Sequence, residues 1–304
     1  MTGAIDTLSE PPAAAAAPLA RTRPFFWSVK RELWENRAVY LAAPIAAAVV
    51  VFGALLGHLV TRGAVQIRSQ GELPFVMPAV LPYLIATVAI LATSCITGVF
   101  YCLAALNTER RDRSVLFWKS LPVSDLTTVL SKAVVPAVIM PVVTLATIFA
   151  AQLVMLAMDA AAIAAKGESL DLYMGRLPLG QVWLDLAYAF VLLVFWWAPL
   201  WSWLLLVSAW AKRMAFVWAV APPLAICLVE RMSLGTDFTW RMLKGRLLQG
   251  AEIGFTTPPV ADRIALPWPD PLPFLASPGL WIGLVLAAAF LTGAVWLSRR
   301  REPI

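Results

Sequence analysis

Long apolar runs without a charged residue constrain the fold of this chain more than any other feature. They lie at residues 38–60, 79–106, 133–158, 186–211, 214–229 and 279–298. A helix rises about 1.5 Å per residue, so about 20 apolar residues cross a hydrocarbon core of roughly 30 Å. The 214–229 run is short and contains Pro222 and Pro223, so it either extends to residue 232 or stops part-way as a broken helix. We expect an all-α polytopic membrane protein with six transmembrane helices, the fifth at 214–232.

The composition excludes a water-soluble globule. Of the 304 residues, 61% are hydrophobic and 14% are charged, whereas a soluble domain averages about 45–50% apolar and about 25% charged residues. Cys95, Cys102 and Cys227 all lie inside apolar runs, which indicates small buried side chains rather than a redox or metal site. The single histidine is too few for most metal centres, and no cofactor is expected in this chain.

Basic residues gather at alternate ends of the predicted spans. The link between the fourth and fifth spans is Lys212-Arg213, and Arg299, Arg300 and Arg301 follow the sixth span. Cytoplasmic loops carry the excess of Lys and Arg, so we expect both termini to be cytoplasmic. The net charge of +6 then reflects orientation, with a secondary attraction to anionic lipid. Because these residues lie at span ends, we expect no nucleic-acid partner.

Two segments precede the first span. Residues 1–24 are rich in alanine and proline and are expected to form a disordered cytoplasmic tail that is not cleaved. A helix over 25–37 would place its apolar side chains on one face: Phe25, Phe26, Val29 and Leu33. The opposite face would be polar, with Ser28, Arg31, Glu32 and Glu35, and two tryptophans, Trp27 and Trp34, would lie at the flank. This pattern predicts a helix lying in the membrane interface. The alternative is that the segment is simply the start of the first span.

The loop between the second and third spans combines a charged cluster with a short apolar helix. Ser114 can cap that helix, Pro122 ends it, and Ser124 with Asp125 can cap the next helix, which leads into the third span. Phe117 and Trp118 on a short cytoplasmic helix have two explanations. The helix either rests on the membrane or fills a groove in a partner protein, and composition alone does not decide between them.

This loop resembles a known family. Glu109-Arg110 ahead of the apolar helix, then Leu121-Pro122-Val123-Ser124 and Lys132, is similar to the cytoplasmic loop of type-2 ABC transporter permeases, which are six-span exporter subunits. The resemblance identifies 25–37 as a cytoplasmic N-terminal elbow helix and 25–304 as the permease domain. It makes the helix between spans 2 and 3 a coupling helix, which sits in a cleft of the ATPase. The implied docking residues are Glu109, Arg110, Arg113, Val115, Leu116, Phe117, Trp118 and Leu121.

The resemblance also implies partners and a location. Two copies of a separate ABC ATPase would bind ATP and Mg, and a second permease copy, most simply a homodimer, would complete the assembly in the bacterial inner membrane. Gly53 and Gly57 form a small-xxx-small pair through which first spans could meet. In the outer loop, 233–278, a helix is expected around 236–250 before a proline-rich return, and the family places short helices there that cap the translocation path.

Chemistry that other mechanisms need is missing from the sequence. The closest approach to a phosphate-binding loop, Gly175 to Gly180, is followed by Gln181 instead of lysine, so this chain is not expected to hydrolyse ATP or to be an enzyme. His58 has no acidic neighbour in sequence, and Asp159 is expected to be a hydrated carboxylate at a span end. A stand-alone secondary transporter or channel, and a membrane anchor or sensor, remain as alternatives. The aromatic spans suit a lipid-like, peptide or hydrophobic drug cargo.

Overall fold

The computed structural model describes residues 24–60, 76–108, 124–165, 167, 179–248, 250, 253, 255–256 and 268–300. Almost all of these residues are helical, as predicted. The helices are α1 Pro24–Glu35, α2 Ala38–Val60, α3 Val76–Ala105, α4 Asp125–Val134, α5 Met140–Ala165, α6 Leu179–Trp196, α7 Ala198–Trp210, α8 Ala215–Leu234, α9 Phe238–Leu248, α10 Pro271–Ala276 and α11 Pro278–Arg300. The described residues also include a two-residue antiparallel pairing of β1 Phe255–Thr256 with β2 Trp268–Pro269.

Several helices are long and apolar enough to cross a membrane, as in a multi-pass membrane protein. Within the described part of the chain, 5 helices meet this criterion. If the bent pair α6–α7 is counted as one further span, the number of candidate spans rises to 6. These helices correspond in order to the six predicted spans. The elements follow the apolar runs because a helix satisfies its own backbone hydrogen bonds where lipid offers none.

The third span is one helical run of 41 residues, from Asp125 to Ala165. It begins at the predicted cap, where Ser124 Oγ accepts a hydrogen bond from the Thr127 backbone N–H at 3.2 Å. A π-helical turn, Val135–Ile139, joins α4 to α5 and contains Pro136. Proline has no N–H to donate, and π-turns inside α-helices are frequent at functional sites.

The helix break lies in the fourth span rather than in the fifth. Helix α8 is continuous through Pro222 and Pro223, so the broken-helix alternative for this span is not observed. Instead, α6 and α7 meet at an angle of 45°. The N–H of Leu200 donates to the Trp197 carbonyl at 2.9 Å instead of to Trp196, and Pro199 has no N–H to offer Phe195. Two carbonyls therefore lose their helical partners at the bend.

The helices pack around a core formed mainly by α2, α3, α5 and α7, and the most extensive pairing is that of α7 with α11. Ile90 and Ile148 are completely buried at the contact of α2, α3 and α5. Helix α1 packs against α4 and so lies beside the start of the third span.

Helix α1 confirms the predicted helix. Phe26, on the predicted apolar face, is 57% exposed, and Glu32, on the predicted polar face, is 1% exposed. Glu32 is buried because this side of the helix faces α4, whose Lys132 binds it. This contact with the third span was not predicted.

The predicted dimer residues lie on the surface of the described chain. A Cβ atom added at Gly53 or Gly57 would meet no other atom within 4 Å. Val49, Phe52 and Leu56 on the same helix are also exposed.

Candidate functional site

The predicted ATPase-docking segment lies outside the described residues. This applies to all of its predicted contact residues, which are Glu109, Arg110, Arg113, Val115, Leu116, Phe117, Trp118 and Leu121. The structure does describe the points where the chain enters and leaves the segment 109–123. These two points make up the candidate site, and each is fastened to the spans by specific hydrogen bonds.

At the entry point, the end of α3 is bonded to α7. The hydroxyl of Ser208 accepts hydrogen bonds from the backbone N–H groups of Leu106, at 3.0 Å, and Asn107, at 3.1 Å. The Asn107 side chain donates to the Ala211 carbonyl at 3.0 Å. Ser208 is completely buried. The second span therefore cannot shift at this end without moving the fourth.

At the exit point, α4 is held by a capping residue and by the last turn of the sixth span. Ser124 caps the helix, and Arg299 Nε of α11 lies 3.7 Å from Asp125 Oδ2. Both members of this ion pair are partly exposed, so it contributes at most about 1 kcal/mol.

A buried ion pair fastens the exit point more strongly. Lys132 Nζ lies 2.6 Å from Glu32 Oε1, and the two side chains are 2% and 1% exposed. Tyr101 of α3 donates to the other Glu32 oxygen at 3.2 Å, and Arg31 donates to Oε1 at 3.1 Å. Helix α1, the second span and the third span thus meet at one carboxylate. The one sequence signal for this cluster was Lys132, a charged residue directly before the apolar run 133–158.

A second cluster joins the first three spans at their other end. Asp159 accepts a hydrogen bond from Tyr83 Oη at 2.6 Å and lies 3.0 Å from His58 Nε2. His58, which has no acidic neighbour in sequence, therefore has one in the fold, and Asp159 binds two side chains that the sequence did not indicate. The residues come together because antiparallel α2, α3 and α5 align their ends, although Asp159 is 76 positions from Tyr83.

Between these clusters, polar side chains meet along the contact of α3 with α5, which we call the polar seam. Gln152 donates to Thr87 at 2.9 Å and accepts from the Trp183 indole at 2.7 Å. Further along, the Ser94 and Thr144 hydroxyls are 2.6 Å apart. Ile90 and Ile148 lie between these two contacts and are completely buried. The apolar pair thus interrupts the polar seam.

A small cleft adjoins the seam at the two irregular helix positions. Ser94 and Thr144 line it together with Pro136 of the π-turn and Trp197 and Trp201 at the bend of the fourth span. Its walls are mostly apolar. Among the described residues, no group of three or more His, Cys, Asp or Glu side chains could hold a metal ion.

Comparison with protein-family models, with curated proteins and with solved structures found no match.

Proposed function

We propose that this chain is the transmembrane permease subunit of an ATP-driven exporter. In this proposal a separate ATPase hydrolyses ATP, and the segment 109–123 transmits its movement to the spans. The observation that carries the proposal is that both ends of this segment are fastened to the helix bundle. Ser208 holds the entry, and the Glu32–Lys132 pair holds the exit.

This arrangement suits transmission of a mechanical force. A pull on the segment acts on α3 at one end and on α4 at the other, and buried hydrogen bonds extend each end to a neighbouring helix. Protein interiors are close-packed and deform little, so such ends move with their neighbours rather than bending alone. A loop that served only as a tether would not need buried charges at its base.

In the proposed mechanism, ATP closes a pair of ATPase subunits, each of which grips the helix at 114–121. Phe117, Trp118 and Leu121 are the proposed apolar anchors, and Glu109, Arg110 and Arg113 surround them with polar contacts. The partner would hold ATP and Mg, and this chain would hold neither. Both termini would be cytoplasmic, in a bacterial inner membrane.

A second permease copy would cover an exposed face of the first span. Phe52 and Leu56 are 59% and 44% exposed there, beside Gly53 and Gly57, whose surroundings are open. Small residues allow close helix approach in a membrane, which supports a homodimer through this face or an assembly with a related permease.

The cargo is proposed to be apolar or amphipathic. The cleft beside the polar seam supports this class, because indole rings and a few hydroxyl groups line it and the described lining has no charged residue. A lipid-like molecule, a peptide or a hydrophobic drug fits such a lining better than a small ion does.

One observation favours a stand-alone secondary transporter as the second candidate. The His58–Asp159 and Glu32–Lys132 pairs bring ionisable groups together near the ends of spans, and ionisable residues within spans mark proton relays in transporters. The Ile90–Ile148 layer between them argues against this function, because it separates the two polar ends of the seam.

Reconstitution into proteoliposomes tests the proposal. The purified chain is assayed alone and with the ATPase that copurifies with it, using a fluorescent phospholipid and a hydrophobic dye as trial cargoes. We expect ATP-dependent movement with the ATPase present, and none with a hydrolysis-deficient ATPase. Movement by the chain alone under a proton gradient would favour the secondary transporter, and ATPase binding without any movement would favour the anchor or sensor.

A further inference from the structure

Arg246, near the end of helix α9, reaches the bend in the fourth span. Its Nη1 donates to the Trp196 carbonyl at 3.3 Å, and its Nη2 donates to the Gly279 carbonyl in the first turn of α11 at 2.6 Å. Its Cζ also lies 4.2 Å from the centre of the Trp196 ring. One guanidinium thus contacts the fourth span and the sixth span at the same time.

The bend explains why a donor is needed at this point. In a continuous helix the Trp196 carbonyl would accept from Leu200, but Leu200 donates to Trp197 instead. A carbonyl without a partner is costly in an apolar environment. Arg246 supplies the missing hydrogen bond, so the same carbonyl has two alternative donors, Arg246 as observed and Leu200 in regular helical bonding.

Two glycines leave the space that the guanidinium and the indole occupy. A Cβ atom at Gly283 would overlap Arg246 Nη2, and a Cβ atom at Gly250 would overlap Trp196 Cδ1. Alanine at either position would therefore displace the stacked pair. This contrasts with Gly53, where an added Cβ meets nothing.

The other end of α9 is joined to α8. The carboxylate of Glu230 accepts from the backbone N–H groups of Phe238, at 2.6 Å, and Thr239, at 2.8 Å, and so caps α9. Gly235, with φ +64°, makes the turn between the two helices.

Helix α9 has little else to hold it. None of its residues is buried, and Phe238 and Leu248 are 67% and 68% exposed. Elements with few buried contacts open at low free-energy cost.

Partial burial lowers the pKa of Arg246 from its usual value, although the group stays charged at neutral pH.

We propose that Arg246 is a latch that holds α9 as a lid against the bend of the fourth span and the start of the sixth, and that its release opens the end of the translocation path. The path and its outer location rest on the proposed function. Release of Arg246 frees the Trp196 carbonyl for Leu200, so the hydrogen bonding at the bend changes although Pro199 still kinks the helix. Lid opening and this change at the bend are therefore two consequences of one exchange of hydrogen-bond donors.

Hydrogen–deuterium exchange of the full chain in lipid nanodiscs tests the latch without an ATPase or a cargo. The first variant, Arg246→Lys, keeps the positive charge but loses the planar guanidinium that donates to two carbonyls at once. The second variant, Gly283→Ala, keeps Arg246 but places a methyl group in the space that the guanidinium occupies. We expect amide exchange in α9 to be faster by about tenfold or more in both. Gly180→Ala is the matched control, because an added Cβ atom there meets no atom within 4 Å, and its α9 exchange should stay within about twofold of the wild type. Gly250→Ala replaces either variant that fails to fold.

Unchanged α9 exchange in the folded Arg246 and Gly283 variants would overturn the latch. If exchange accelerates, transport by the ATPase complex decides the role of the lid. Less cargo moved per ATP in both variants supports the proposal, and transport equal to that of the wild type refutes it. If the wild-type complex transports nothing, the proposed function fails, and with it the proposal that the lid controls a translocation path. The exchange data would still decide whether Arg246 holds α9 in place.

Discussion

Glu32 and Lys132 lie 100 positions apart in the chain, yet their side chains meet at 2.6 Å in a site that is almost completely closed to solvent. The contact joins the helix that precedes the first span to the helix that begins the third. Tyr101 of α3 also donates to Glu32, so α1, α3 and α4 are joined at one carboxylate. Movement of any one of these three helices therefore affects the other two.

We predict that Lys132→Met destabilises the protein by about 3 kcal/mol, because it removes the buried cation beside the Glu32 carboxylate and leaves Tyr101 and the less buried Arg31 as its partners. The free energy of unfolding in detergent micelles measures this effect. Glu35→Gln is the control, since Glu35 forms a half-exposed pair with Arg31 and should change stability by less than about 1 kcal/mol. The double variant Glu32→Leu/Lys132→Met should recover most of the loss, and a double variant as unstable as Lys132→Met would contradict the explanation.

Two buried serines of α7 provide a matched pair of substitutions. Ser208→Ala removes the acceptor for two backbone N–H groups at the end of α3 and should cost about 1–3 kcal/mol. Ser202 only donates to the Ala198 carbonyl of its own helix, so Ser202→Ala should cost less than about 1 kcal/mol. Thermal unfolding of the two variants compares them directly. Equal losses would mean that Ser208 does not fasten the entry to the segment 109–123.

The proposed anchors predict a loss of partner binding. Phe117→Ala and Trp118→Ala should each weaken association with the ATPase by about 2 kcal/mol or more, which is about 30-fold in Kd. Binding of the purified ATPase to the chain in nanodiscs measures the change. Trp34→Ala removes an indole that is 65% exposed elsewhere and serves as the control. Wild-type affinity and wild-type stimulated ATP hydrolysis in both anchor variants would refute the assignment.

The cluster at Asp159 separates the two candidate transport mechanisms. If this chain is driven by an ATPase, the rate of ATP-dependent transport by Asp159→Asn should stay within about twofold of the wild-type rate. The amide oxygen can still accept the hydrogen bond from Tyr83, so the substitution alters only the local stability of this cluster. If the chain is a proton-coupled transporter, the same variant should abolish uphill movement. Transport under ATP and under a proton gradient measures both outcomes.

The sequence predicted features that depend on local chemistry. Apolar runs located the spans because only a helix of sufficient length satisfies its backbone within lipid. Ser124 was predicted as a cap because its hydroxyl needs only an N–H three residues away. The helix around 236–250 also formed, as α9 Phe238–Leu248.

The features that the sequence did not reveal depend on distant partners. The bend in the fourth span lies beside Pro199, and Arg246 bonds the Trp196 carbonyl, which has lost Leu200 as its helical donor there. No sequence pattern shows this, so the prolines of α8 attracted the prediction instead. The burial of Glu32 was missed for a similar reason, since an apolar stripe identifies a helix face but not a charge that a lysine 100 positions away will bind.

Photocrosslinking from position 118 tests the central claim most directly. A photoreactive amino acid replaces Trp118 in the full chain, cells are irradiated, and the adducts are identified by mass spectrometry. The account predicts one dominant adduct, a cytoplasmic polypeptide that binds ATP. Adducts with lipid alone, or modification of position 118 by a reagent confined to the outer side of the membrane, would contradict it.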